Sequence, residues 1–292
     1  MSPSESIVKL VTSSDGSQIY ADSVGDPKSH IHIVFLHGLG LSGAVFDHIF
    51  ANTRYSSQFY MVRYDLRGSG RSTKPDTPEA YTPQKIADDY RAVESAFNLK
   101  KAFLVGWCVL PHTGTGNTLS GKLSGAVYLA GLPYIGPIMA DIGTPTVHGF
   151  MAGILSSDNV ALAMQTRVAF VDSLFSKDPE SVPYQLKCVW VGMSISIPPA
   201  VNQSFLSRTQ DPSSLFALAK TGFPLLIVHG KADTQIMHDK LIEHLKPHFT
   251  NMTVHLFDGL GHALFYEDVD VVMGSIETFV RDITTGRQPG AG

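Results

Sequence analysis

The chain has 292 residues, of which 43% are hydrophobic and 16% charged, with a formal net charge of −4. That is enough for one large α/β domain, or a core domain carrying an inserted lid. No run of Lys or Arg stands out, which argues against a nucleic-acid partner. No stretch approaches the 18 or so apolar residues of a membrane span, and the N-terminus lacks a signal-type apolar segment. The two cysteines, Cys108 and Cys188, are far apart in sequence, which argues against a disulfide framework and fits a reducing, cytoplasmic setting.

In chain order, IVKLV (7–11) and a second run at 17–21 flank a turn and predict a hairpin. IHIVFL (31–36), FYMVRY (59–64) and KAFLVG (101–106) are continuous apolar runs that suit the middle of a buried sheet. Residues 82–99 have helical spacing, with Ile86, Tyr90, Val93 and Phe97 on one face and Thr82-Pro83 as a helix start. GAVYLAG (125–131), PLLIVHG (224–230) and MTVHLF (252–257) are further strands, and a last helix is expected over 267–282. Strands alternating with helices predict a mainly parallel sheet covered on both faces. Residues 132–220 hold no convincing strand. They predict a helical lid inserted between the two parts of the core, 1–131 and 221–285, with a flexible tail over 286–292. Within the lid, Asp158 is expected to cap a helix whose apolar face is Val160, Met164, Val168, Val171 and Phe175.

Three placements carry chemistry. The strand 101–106 runs into Gly106-Trp107-Cys108, where the chain must turn sharply. A nucleophile there is held above the sheet, beside backbone N–H groups that favour a thiolate. Asp233 follows the strand 224–230, and His262 follows the strand 252–257, in the order nucleophile, acid, histidine. Asp233 would fix the tautomer of His262, and the other imidazole nitrogen would exchange a proton with the thiol. The loop HGLGLSG (37–43) would bring the backbone N–H of Leu39 to an oxyanion, together with that of Val109. Gly38, Gly40 and Gly43 with Asp65 also imitate a dinucleotide fingerprint, but that reading leaves Cys108, Asp233 and His262 unexplained. Most of the twelve histidines, His229 among them, read as ordinary structural residues. Asp141 is a poorer candidate acid than Asp233, Cys188 reads as a small core residue, and His112 lies just past the nucleophile. No cluster has metal-ligand spacing, so neither a metal nor a cofactor is expected.

Taken together, HGLG, DLRGSGRS (65–72), GWC, HGKAD and GLGHA resemble the α/β-hydrolase superfamily over essentially the whole chain. The resemblance implies the α/β-hydrolase fold, an eight-stranded sheet with a helical lid, and structural roles for Asp65 and Arg67. Two departures stand out: Cys108 where serine is usual, and Leu110 where glycine is usual, followed by Pro111, which together should widen or loosen the turn. The chain is also similar to stand-alone thioesterase-like hydrolases that partner fungal polyketide synthases. That similarity implies a small-molecule acyl substrate, a delivering acyl carrier protein, and release of the chain as an acid or lactone through a thioester acyl-enzyme. A cysteine-type esterase or lactonase acting on small esters is the alternative within the same chemistry. A ligand-binding module on the same scaffold is the alternative outside it.

Overall fold

The computed structural model describes residues 6–109, 121–176 and 182–287. Eight strands form one sheet: β1 (Ile7–Thr12), β2 (Gln18–Val24), β3 (His32–Leu36), β4 (Tyr60–Tyr64), β5 (Ala102–Val109), β6 (Leu123–Leu132), β7 (Leu225–Gly230) and β8 (Met252–Phe257). Their spatial order is β1-β2-β4-β3-β5-β6-β7-β8. β1 and β2 form the expected hairpin, and β2 pairs antiparallel with β4. All pairings from β4 through β3 to β8 are parallel. Every residue of β3, β4 and β7 is buried, which is why these strands read as unbroken apolar runs rather than alternating ones.

The expected helix is α1 (Pro83–Ala96), capped by the Thr82 side chain, with Ile86, Tyr90 and Val93 buried. Between β6 and β7 the chain is helical: α2 (Ile138–Ile142), α3 (Pro145–Ile154), α4 (Val160–Asp172), α5 (Tyr184–Ile195), α6 (Pro199–Ser207) and α7 (Ser213–Ala219). After β7 come α8 (His238–Leu245) and, after β8, α9 (Val269–Thr285). No helix among the described residues is long and apolar enough to cross a membrane. The expected tail overlaps residues 288–292, and the Leu110, Pro111 and His112 readings fall on 110–120; both segments lie outside the described residues.

Three lid expectations need correction. The α4 cap is Asn159, whose side chain accepts from Leu162 N–H, not Asp158. The face of α4 turned inward carries Thr166, Arg167, Phe170 and Val171, while Val160, Met164 and Val168 are exposed. Apolar residues occur all round this helix, so spacing alone could not choose the buried side. Cys188 sits exposed on α5 rather than in the core.

The loop after β4 is held by ion pairs and charged hydrogen bonds on either side of the buried Leu66. Both carboxylate oxygens of Asp89 on α1 accept from Arg67, at 2.7 and 2.6 Å, with Asp15 adding a third contact at 2.9 Å. Both carboxylate oxygens of Asp65 are committed to backbone N–H groups, of Gly43 and of Arg71, at 2.8 Å each. Asp65 thus ties two glycine-rich loops together rather than facing a ribose, and the structural reading of Asp65 and Arg67 agrees with these contacts. Because Asp89 would be left as a buried, unpaired charge, Arg67→Leu is expected to lower the unfolding free energy by about 3–5 kcal/mol. Urea titration measures this, and a loss under about 1 kcal/mol would show that the pair does not hold the loop.

Candidate active site

The parallel strands deliver their functional groups to one edge of the sheet, at the C-terminal strand ends. Cys108 is the penultimate residue of β5 and has φ +66°. This left-handed backbone costs an L-residue about 1–2 kcal/mol. The β5–β6 register slips between Trp107 and Val109, so the strand departs from its regular pleat where Cys108 sits. The side chain lies in a cavity instead of the sheet, with Cys108 only 8% exposed. Gly38 shows how tight the approach of the opposite loop is: a Cβ there would come within 2.8 Å of the Cys108 Cβ and 3.2 Å of the Trp107 ring. That loop is fixed by His37, whose Nε2 accepts from Leu66 N–H at 3.0 Å. The His37 proton is therefore on Nδ1, which donates to Gly38 O at 2.8 Å.

Asp233, three residues beyond β7, is a fully occupied carboxylate. Its Oδ2 accepts from Nδ1 of His262 and from Nε2 of His229, both at 2.8 Å. Its Oδ1 accepts from the backbone N–H of Gln235 at 2.7 Å and of Ile236 at 3.2 Å. The side chains of Asp233, His229 and His262 are wholly buried. Burial alone would raise the Asp233 pKa, but the charges and hydrogen bonds of His262 and His229 outweigh it and hold the carboxyl well below the usual range. For His262, burial alone would lower the pKa; Asp233 and the neighbouring Cys108 reverse this and raise it. With Nδ1–H given to Asp233, Nε2 of His262 is left without a well-formed hydrogen bond, and Cys108 is the group beside it.

The backbone around His262 is pinned as well. The Trp107 indole N–H donates to His262 O at 2.9 Å, tying the residue before Cys108 to His262. Glu267 accepts from Gly261 N–H and, at 2.6 Å, from Ser176 N–H of the lid segment. Trp190 of α5 packs against Trp107 and Phe175, at 5.8 and 5.2 Å between ring centroids. Lid and core meet here over an aromatic layer.

The structure thus brings Cys108, Asp233 and His262 together and sets Leu39 in the lining of the same cavity. Val109 ends β5 directly after Cys108. Asp141 lies exposed in α2, and Asp233, not Asp141, bonds His262. Sequence reasoning missed His229, which it took as structural, and did not single out Gln235 or Glu267. Only the four-residue spacing of His229 and Asp233 across a strand end carried a signal.

A family model described as "Alpha/beta hydrolase family" matches residues 33–273. The chain belongs to the alpha/beta hydrolase family. The "putative aryl esterase" from Burkholderia cenocepacia superposes with a TM-score of 0.83 at 24% identity, covering 96% of this chain and all of that one. Esterase RhEst1 from Rhodococcus sp. ECU1013 follows at 0.82 and 22%, covering 94% of this chain and 99% of that one. These likenesses establish the shared fold. The "Probable oxidoreductase EphD" of Mycobacterium tuberculosis is 36% identical over 93 residues, which is 32% of this chain and only 15% of that protein.

The Asp233 carboxylate also dictates a pH response. Its folded pKa lies below the ordinary carboxylate value of about 3.9. Its stabilisation is therefore present above that value and is lost as pH falls through it toward the lower folded value. Between about pH 7 and pH 5 Asp233→Asn should lose thermal stability as pH falls while the wild type does not, because without the carboxylate, burial alone lowers the pKa of His262 below its ordinary value. Parallel decline of the two proteins would contradict the assignment.

Proposed function

We propose that this alpha/beta hydrolase is an acyl hydrolase whose nucleophile is the Cys108 sulfur, acting on short, largely apolar esters and thioesters. The observation that carries the reading is Cys108 at a left-handed strand end, in a cavity, beside an imidazole whose other nitrogen is given to a buried carboxylate. His262 Nε2 would hold the proton given up by the thiol, so that Sγ attacks the carbonyl carbon as the thiolate. The backbone N–H groups of Leu39 and Val109 would receive the oxyanion. The leaving alcohol or thiol then departs with the proton from His262, leaving an acyl thioester on Cys108. Water, deprotonated by His262, attacks that thioester; the acid leaves and the thiol is restored.

The cavity beside Cys108 supports a small substrate. It measures about 80 Å³ and is lined mainly by Leu39, Leu132, Met139, Met151, Phe170 and Leu206 beside Cys108. A folded polyketide chain closing into a lactone would need far more room. This favours hydrolysis of small esters over chain release from a carrier protein. A binding module without chemistry is the less economical reading, because it gives no role to the strained Cys108 backbone.

Butanoyl N-acetylcysteamine and 4-nitrophenyl butanoate provide the test. The wild type should hydrolyse both, and Cys108→Ala should lose at least about 10³-fold in kcat. An Ala variant as active as the wild type would overturn the proposal.

A further inference from the structure

The lid carries a second recess that the Cys108 chemistry does not use. It lies between the first two turns of α4 and the turn joining α5 to α6, measures about 270 Å³, and shares no lining residue with the cavity beside Cys108. Its apolar walls are mainly Val160, Ala163, Met164, Ile195, Ile197 and Pro198. Val160, Met164 and Ile195 are 69%, 53% and 50% exposed, so apolar side chains stand open to water along its rim. Single apolar residues are ordinary on a surface, whereas a set of them around a recess marks a place where something binds.

One cation is set into this apolar wall. Arg167 of α4 is 5% exposed and lines the recess. Its Nε donates to Ser194 O and its Nη1 to Ala163 O, each at 3.2 Å, which fixes the guanidinium plane. Both partners are neutral carbonyls. Asp172, the other charged residue of α4, pairs with Lys187 at 2.7 Å. The exposed Asp158 accepts from Ser156 Oγ at 3.4 Å. Burial pushes the Arg167 guanidinium below its ordinary pKa, and no neighbouring carboxylate offsets this. Nη2 is the donor left over. It makes no hydrogen bond among the described residues, yet it is not sealed from solvent as the three guanidinium nitrogens of Arg208 are. The recess that Arg167 lines is where it meets water. A largely buried cation of this kind is best satisfied by an acceptor that carries negative charge.

We infer that this recess binds a small amphiphilic carboxylate of the medium-chain alkanoate type, its head on Arg167 Nη2 and its chain against Val160, Met164, Ile195 and Pro198. One open nitrogen suits one negative charge. A phosphate dianion would bring a second charge that no further basic residue of the wall meets. Burial of the alkyl chain against the apolar walls supplies the rest of the affinity. Because the recess is separate from Cys108, the inference stands or falls independently of the acyl-hydrolase reading.

Isothermal titration calorimetry compares octanoate with octan-1-ol, which share a chain and differ in the head. The wild type should bind octanoate, with octan-1-ol weaker by about 10-fold or more, the scale of a hydrogen bond to a charged group. Arg167→Met should weaken octanoate by the same factor. Ile195→Asp, at an exposed rim position, sets a like charge beside the head and should weaken octanoate by about 3-fold or more. Absence of octanoate binding overturns the inference, and so does a smaller preference over octan-1-ol. Affinity kept by a folded Arg167→Met, or changed less than 3-fold by Ile195→Asp, places octanoate elsewhere and overturns it too. Should circular dichroism show that Arg167→Met does not fold, the octan-1-ol comparison and Ile195→Asp decide.

Discussion

The site depends on one buried carboxylate. Asp233 is surrounded by four N–H donors, two from histidine side chains and two from backbone amides, with its side chain fully buried. An anion removed from water in this way is tolerable only when its lone pairs are met. Meeting them has a consequence for each donor. His262 must carry its proton on Nδ1, which frees Nε2 toward Cys108. His229 must carry its proton on Nε2, which it gives to Oδ2, the same oxygen of Asp233 that holds His262. The backbone amides of Gln235 and Ile236 fold the chain after β7 back against the lid. One charge therefore sets a tautomer, a loop path and the position of a cavity wall.

The lid is stitched to the same network. Thr144 N–H donates to Gln235 O, Met237 N–H to Ile142 O, and the Thr234 hydroxyl to Ser173 O. Ala263 N–H donates to Leu174 O at 2.7 Å, next to His262. The lid segments before and after α4 thus reach both the acid loop and the base loop, while Trp190 rests on Trp107. This stitching holds the lid segments against the wall of the Cys108 cavity. The same few contacts hold the cavity wall and the Cys108, Asp233 and His262 geometry. Elsewhere in the lid, Arg208 stacks on Phe205 with its guanidinium 3.8 Å from the ring centroid, and burial lowers its pKa to about 9.

Much of this was legible in the sequence. Buried parallel strands announce themselves as largely apolar runs, so β3 to β7 could be read directly, while β8 is only half-buried and mixed in character; the loops at the strand ends pointed to Cys108, Asp233 and His262. The lid was less legible. α4 is apolar all round, and its buried side was set by where α3 and α5 pack, which no spacing within residues 160–172 encodes. Cys188 was misread because cysteine usually prefers the interior, while its position on α5 was fixed by Trp190 turning inward. His229 and Gln235 were missed for a different reason. Their roles arise from hydrogen bonds to Asp233 and Ser173 that exist only after the chain has closed.

The central claim is that the sulfur of Cys108 becomes covalently acylated with His262 as its base. Intact-protein mass spectrometry after rapid acid quench of a reaction with butanoyl N-acetylcysteamine measures this most directly, followed by peptide mapping. The account predicts a butanoyl increment confined to the peptide containing Cys108 in the wild type and strongly diminished in His262→Ala. An increment located on another residue, or one undiminished without His262, would contradict it.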